Sequence, residues 1–365
     1  MPKEEQVPAG PLARWPAGLR WALLLALSLL FAGLLELPGI PAALLLGPMI
    51  AGIVVGTNSG RLKVPAPLFW FAQAVIGLLV AGSVDAGILA TFAESWPLFV
   101  AVILAVISAS SLLGWLMARW QVLPGTTAVW GFSPGAASAM MLMADAFGAD
   151  ARLVAFMQYL RVLFVAVTAS LVAQVFLAGP MAAGAAVDWF PALDWPSFGP
   201  TLALVVGGAL VGRFLPIPAG SLLVPMILGG ALSISGVLRI ALPEWLLAIS
   251  YALIGWNIGL AFTRRILLHA TRALPKIALS IAALIAFGAC LGFAVNRLLG
   301  VDPLTAYLAT SPGGLDTIAI IAASAKVDVS FVLGLQTARF LMVLLLGPFL
   351  ARMIARRVGG DEPAE

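Results

Sequence analysis

Two stretches, Trp130-Gly131-Phe132-Ser133-Pro134-Gly135-Ala136 and Ala309-Thr310-Ser311-Pro312-Gly313-Gly314-Leu315, place serine, proline and glycine inside apolar runs that would otherwise be continuous helix. Proline lacks the amide that a helix interior needs, and glycine lets backbone come close to a neighbour or a ligand. The order Ser, Pro, Gly predicts a break in which the serine caps the following helix and the proline takes its first position. Within a membrane, broken helix ends are tolerated only where protein or a water-filled cavity surrounds them, so they become polar binding groups.

The two stretches belong to a long internal duplication. Ser133, Pro134 and Gly135 match Ser311, Pro312 and Gly313 at an offset of 178 residues, which also pairs Asp150 with Asp328, Val154 with Val332, Gln158 with Gln336 and Arg161 with Arg339. Upstream it still pairs Gly77 with Gly255. With one residue of slippage, Pro41, Pro48, Met49 and Ile50 pair with Pro218, Pro225, Met226 and Ile227. The chain reads as two copies of one unit.

Hydrophobic residues make up 62% of the chain and charged residues 10%, and apolar runs long enough to cross a bilayer recur along it, so the expected class is an all-α polytopic membrane protein. One cysteine, Cys290, and one histidine, His269, leave no internal disulfide and no Cys/His metal cluster, so no metal and no cofactor are expected. A copper or iron oxygenase would need clustered imidazole or carboxylate ligands, and the single imidazole lies in a basic loop. The net charge of +4 is spread over loops and termini, which points to membrane topology rather than to nucleic acid. No soluble stretch is long enough to hold a DNA-binding fold.

Residues 1–18 read as a flexible polar tail and Leu19–Leu37 as an anchor, since no small-x-small cleavage site follows it. The first repeat, 19–178, continues with Ile40–Gly56, interrupted at Gly47-Pro48, then Pro67–Val84, an acidic turn with Asp85 and Glu94, Trp96–Ala118, the broken Thr127–Phe147, and Leu153–Leu177. Residues 179–199 form a linker without lysine or arginine. The second repeat, 200–354, runs through Thr201–Phe214, Pro218–Ser235, Leu246–Phe262, Ile277–Leu299, the broken Thr305–Ala323, and Phe331–Ile354, and 355–365 is a tail. Small-residue spacings at Gly52/Gly56, Gly208/Gly212, Gly255/Gly259 and Gly288/Gly292 predict close helix packing.

Loop charge bears on whether the broken segments cross the bilayer. If each enters and leaves on one side and the N-terminus is cytoplasmic, then Arg61, Lys63, Arg119, Arg152, Arg213, the cluster Arg264, Arg265, Arg272 and Lys276, and Arg352, Arg356 and Arg357 all fall inside. Arg239, Arg297 and Lys326 fall outside, as does the 179–199 linker. If both segments cross, the strongest basic cluster lands outside, so the positive-inside rule favours the re-entrant model. That model has about five spans plus one broken or re-entrant segment per unit. An odd number of spans inverts one unit relative to the other, as in secondary transporters. Both termini are then cytoplasmic.

These residues resemble the membrane AbrB-duplication family, in which each copy carries a Ser-Pro-Gly-Gly-like motif followed by a helix with Gln-x-x-Arg. Here the copies read Ser133-Pro134-Gly135-Ala136 with Gln158 and Arg161, and Ser311-Pro312-Gly313-Gly314 with Gln336 and Arg339; Ala136 is the departure. The resemblance covers nearly the whole chain after residue 18. Its members have been labelled ammonia monooxygenases or transcriptional regulators. What it implies is a bacterial inner-membrane protein that acts as a transporter.

The candidate substrate site is therefore Ser133, Pro134, Gly135, Gln158, Arg161, Ser311, Pro312, Gly313, Gly314, Gln336 and Arg339. Arginine at mid-membrane depth is costly and usually marks a pathway, although it can also tie helices together through backbone carbonyls. Asp316, with Ser138 at the matching place, is a candidate for the coupling ion, a proton or sodium, or else complements a helix N-terminus. Asp145, Asp150 and Asp328 read as solvated segment ends, and Gln73, Tyr251 and Asn257 as further cavity candidates. Two helix N-termini and two arginines near one place favour a small anion, such as an organic carboxylate. The expected function is secondary active transport by alternating access around the two tips, not an enzyme, with a homodimer as one allowed assembly. A membrane enzyme, or a non-transporting scaffold or regulatory protein, is the alternative.

Overall fold

A computed structural model describes the backbone of residues 11–359 apart from 39, 41, 60–61, 84–85, 124–125, 134–139, 141–143, 145–147, 177–188, 216–218 and 265–272. The described residues hold helices and no strand. In chain order the helices are α1 (Ala17–Glu36), α2 (Ala43–Ser59), α3 (Ala66–Ser83), α4 (Ala86–Arg119), α5 (Thr127–Phe132), α6 (Ala151–Phe176), α7 (Trp195–Phe214), α8 (Gly220–Ile234), α9 (Glu244–Gly259), α10 (Leu274–Leu299), α11 (Pro303–Thr310), α12 (Leu315–Ala323) and α13 (Val329–Gly359).

Five stretches, Ala17–Glu36, Trp96–Arg119, Leu153–Phe176, Trp195–Phe214 and Leu274–Leu299, are long and apolar enough to cross a membrane. Their outer surfaces carry large apolar side chains, such as Leu25, Leu29 and Leu34 on α1 and Phe287, Phe293 and Leu298 on α10. Water would penalise such surfaces and lipid does not. This is a multi-pass helical membrane protein. Cys290 is exposed on the same outer surface of α10.

The duplication is visible in the packing. Within the units α1 packs on α2 and α7 on α8; between them α3 packs on α8 and α9 on α2. The cross-unit contacts match residue for residue. A methyl group at Gly255 would lie 2.6 Å from the Leu45 carbonyl oxygen and 3.0 Å from the Met49 nitrogen, and one at Gly77 would strike the Leu222 carbonyl and come within 3.3 Å of the Met226 nitrogen. Two helices touch backbone to backbone at each place, which only a residue without Cβ allows. Gly255→Val is therefore expected to lower the thermal stability of the detergent-solubilised protein by the equivalent of roughly 1–3 kcal/mol. Gly230→Val, with nothing within 4 Å, is the matched control and should leave melting unchanged. The other glycine pairs pack as their spacing predicts: Gly52 against Gly259, Gly56 against Leu260, Gly208 against Pro225, Gly212 against Gly220, Gly288 against Pro312 and Gly292 against Tyr307.

Each broken segment begins and ends at one place. The Asp328 amide donates to Thr305 Oγ1 at 3.1 Å, and the Asp150 amide donates to Thr127 Oγ1 at 3.1 Å. Thr305 lies at the start of α11 and Asp328 immediately before α13, so α11 and α12 form a hairpin that returns to its own starting point. Thr127 and Asp150 stand in the same relation to α5 and α6. Asp150 and Asp328 are not merely solvated ends: their Oδ1 atoms accept from the amides of Leu153 at 3.2 Å and Phe331 at 2.9 Å, so they cap α6 and α13.

Several boundaries differ from the sequence reading. α2 is continuous through Pro48, whose ring packs against Gly255, so no interruption occurs at Gly47-Pro48. α4 starts at Ala86, and Glu94 lies within helix rather than in a turn. α7 starts at Trp195, inside the 179–199 stretch, because Pro196 suits the first turn and the amides of Ser197 and Phe198 both donate to the Asp194 carbonyl. Within the N-terminal tail, Pro11–Arg14 is a short 3-10 helix and α1 starts at Ala17; at the other end α13 extends to Gly359.

Candidate functional site

A helix that stops inside the protein leaves its last carbonyls without helical donors, and these must be satisfied by side chains. α11 stops at Thr310 because the residue before a proline is driven out of the helical region. Ser311 accordingly sits at φ −60°, ψ 138°, and Ser133, at the end of α5, at φ −54°, ψ 123°. Both serines thus close the helix before the break rather than capping the one after it. α12 starts at Leu315, and its N-cap is Gly314 with no side-chain bond, so Pro312 lies in the break and not at the first helical position.

In the second unit α13 supplies the missing donors. Gln336 Nε2 donates to the Leu308 carbonyl at 2.7 Å and the Ser311 carbonyl at 3.1 Å. Arg339 donates through one guanidinium nitrogen to the Ser311 carbonyl and through the other to the Gly313 carbonyl at 2.6 Å. Ser311 Oγ adds a bond to the Leu308 carbonyl at 2.9 Å. Gln336 is buried and Arg339 nearly so. By helical rise they lie roughly 12 and 16 Å along α13 from Asp328, close to the middle of a bilayer core. The Arg339 guanidinium straps the tip.

The first unit repeats half of this. Gln158 Nε2 donates to the Trp130 carbonyl at 3.3 Å and the Ser133 carbonyl at 3.1 Å, the matched pair at the same offset. Arg161 departs from its counterpart. Its Nη2 donates to Gln158 Oε1 at 2.7 Å, and its buried Nε has no hydrogen-bond partner. The counterpart acceptor, Gln336 Oε1, is buried and also has no partner. Two guanidinium groups thus sit at matched positions, one bound to backbone carbonyls and one bound only to a side-chain amide.

α6 brings the two tips together. Gln158 holds Ser133; a methyl at Gly313 would lie 2.9 Å from Val165 Cγ1; and the Tyr307 side chain lies near Thr168. Moving along α6 away from Asp150, one meets the tip of the first hairpin, then the tip of the second, then residues nearer the second hairpin's own start. The two tips fall within seven residues of helix, roughly 10 Å. Arg161 lies between them, near enough for its charge to act on Arg339.

A family model described as Transition state regulatory protein AbrB matches residues 44–355, which include both tips and both Gln-x-x-Arg helices. The chain belongs to the AbrB family. A relative from Escherichia coli (strain K12), named "Putative regulator AbrB", is 47% identical over 92% of this chain and 97% of its own length. An uncharacterized protein of Bacillus subtilis (strain 168), YhjN, is 24% identical over 90% of this chain and 92% of its own length.

In this AbrB-family chain, Ser133, Gln158, Arg161, Ser311, Pro312, Gly313, Gln336 and Arg339 gather around α6 and α13. Gly314 opens α12. Pro134, Gly135, Ala136, Ser138, Asp145 and His269 lie outside the described residues. Asp316 is in the first turn of α12, and its side chain lies outside the described residues. Among the described residues, no hydrogen bond joins Gln73, Tyr251 or Asn257 to either tip, and no group of three or more His, Cys, Asp or Glu is placed to hold a metal ion. Sequence reasoning missed Thr127, Thr305, Val165 and Thr168. The two threonines carried a signal, because they match at the 178-residue offset.

Proposed function

We propose that this protein is a secondary active transporter of a small organic anion, working by alternating access around the two hairpin tips. The observation that carries this reading is the meeting of two broken-helix tips on α6 beside Arg161, a buried cation with an unspent donor. Intramembrane charge of this kind is costly and marks pathways. A carboxylate would satisfy the Arg161 fork and offset the excess of positive charge from two guanidinium groups and the positive dipole end of α12. Arg339 and the two glutamines hold the tips in place.

The order of contacts along α6 supports an inverted repeat. Were both hairpins to start from one face, residues nearer the second hairpin's start would meet α6 closer to Asp150; instead Tyr307 meets it beyond Gly313. Together with an odd number of spans per unit and the basic loops, this supports an inner-membrane orientation with both termini cytoplasmic. Asp316, at the start of α12 and close to the tip by sequence, is assigned to the coupling ion, a proton or sodium.

Purified protein in proteoliposomes, preloaded with single organic carboxylates and tested for uptake of the labelled compound, tests the reading. Exchange of at least one small carboxylate is expected. Transport of cations alone, or no flux across a panel of solutes by folded protein, would count against it. Asp316→Asn is expected to abolish gradient-driven uptake while leaving substrate binding intact; an Asn variant with full gradient-driven uptake would remove the ion from Asp316.

A further inference from the structure

The two units are matched in sequence and in backbone contacts, yet their arginines are caught in different positions. We propose that these positions are the two states of one latch, which the units exchange: when Arg161 leaves Gln158 Oε1 for the carbonyl of Ser133, Arg339 leaves the carbonyls of Ser311 and Gly313 for Gln336 Oε1.

Three observations carry it. First, Gln336 Oε1 is buried without a donor, and its counterpart Gln158 Oε1 accepts from Arg161 at 2.7 Å. A buried acceptor without a donor is costly, and the group that would satisfy it by internal symmetry is Arg339. Second, Arg161 Nε is buried without an acceptor, whereas Arg339 uses two nitrogens on two carbonyls of its own tip. The Ser133 carbonyl, held by the Gln158 amide at 3.1 Å, is the matching acceptor within reach of the same helix face. Third, both glutamine amides hold their tips in the same way, so the glutamines stay fixed while the guanidinium alone changes partner. Each state leaves one unit strapped and the other released.

Exchange between such states is what alternating access requires, so the latch rests on the transport reading, but it is testable without any substrate. In a Cys290→Ala background, Ser133→Cys and Ser311→Cys report on the two tips through their rates of reaction with a small hydrophilic thiol reagent. Both substitutions keep the backbone carbonyls that the latch uses. Arg339→Lys retains charge but cannot hold two carbonyls in a planar fork. It is expected to speed reaction at Ser311→Cys about tenfold and to slow reaction at Ser133→Cys about tenfold, the size of effect that one charged hydrogen bond gives. Arg161→Met removes the exchanged state and is expected to lower reaction at Ser311→Cys below that of the parent.

A fixed difference between the units gives another pattern. Reaction at Ser133→Cys would then be unchanged by Arg339→Lys, and reaction at Ser311→Cys would be unchanged or faster in Arg161→Met; either result overturns the latch. Should Arg339→Lys fail to fold, the Arg161→Met comparison decides alone. Absence of flux in the parent would count against the transport reading, while unchanged reactivity in a parent that transports overturns only the latch.

Discussion

Arg161→Gln is expected to weaken binding of the transported anion on the order of 100-fold, the loss seen when one partner of a buried charge pair is removed. The folded fraction should change little, because the wild-type guanidinium makes one bond, to Gln158 Oε1, and strands its Nε. Arg161→Lys should recover only a small part, since an ammonium keeps the charge and loses the planar fork. Isothermal titration with the carboxylate found active in the flux assay reads this directly. Unaltered affinity in a folded Arg161→Gln variant would take the substrate away from this residue.

Gln158→Leu is expected to have the larger effect on folding, destabilising by about 1–3 kcal/mol and by more than Gln336→Leu. In the second unit the carbonyls have second donors: Ser311 receives Arg339, and Leu308 receives the Ser311 hydroxyl at 2.9 Å. In the first unit the Ser133 carbonyl takes, among the described residues, only the Gln158 amide, and loss of that residue also strips Arg161 of its partner. Comparing the melting of the two variants in one detergent tests the difference; equal or reversed losses would contradict the role given to the amides.

Much of this architecture was legible in the residues because duplication samples the same physics twice. Matching at a fixed offset singled out Ser133, Gln158 and Arg161 with their partners, and the structure joins the matched residues through matched bonds. The direction of the serine was not legible. Ser-Pro suits a helix start as well as a helix end, and what decides is the restraint of proline on the residue before it, which holds Ser311 at ψ 138°. The difference between Arg161 and Arg339 was also hidden, because identical motifs do not report which acceptor each side chain has taken. Val165 and Thr168 gave no signal at all, since an ordinary apolar or hydroxyl side chain on a spanning helix is informative only once a tip lies against it.

In the proposed arrangement the two hairpins reach a common centre from opposite faces, and its most direct test is the sidedness of their starting points. Trp120, beside the start of the first hairpin, and Lys326, beside the start of the second, are exposed. Each is replaced singly by cysteine in a Cys290→Ala background, and an impermeant thiol reagent is applied to right-side-out and then to inside-out vesicles. The Trp120→Cys protein is expected to react from the cytoplasmic face and the Lys326→Cys protein from the opposite face. Reaction of both from the same face would contradict the inverted arrangement and the transport site built upon it.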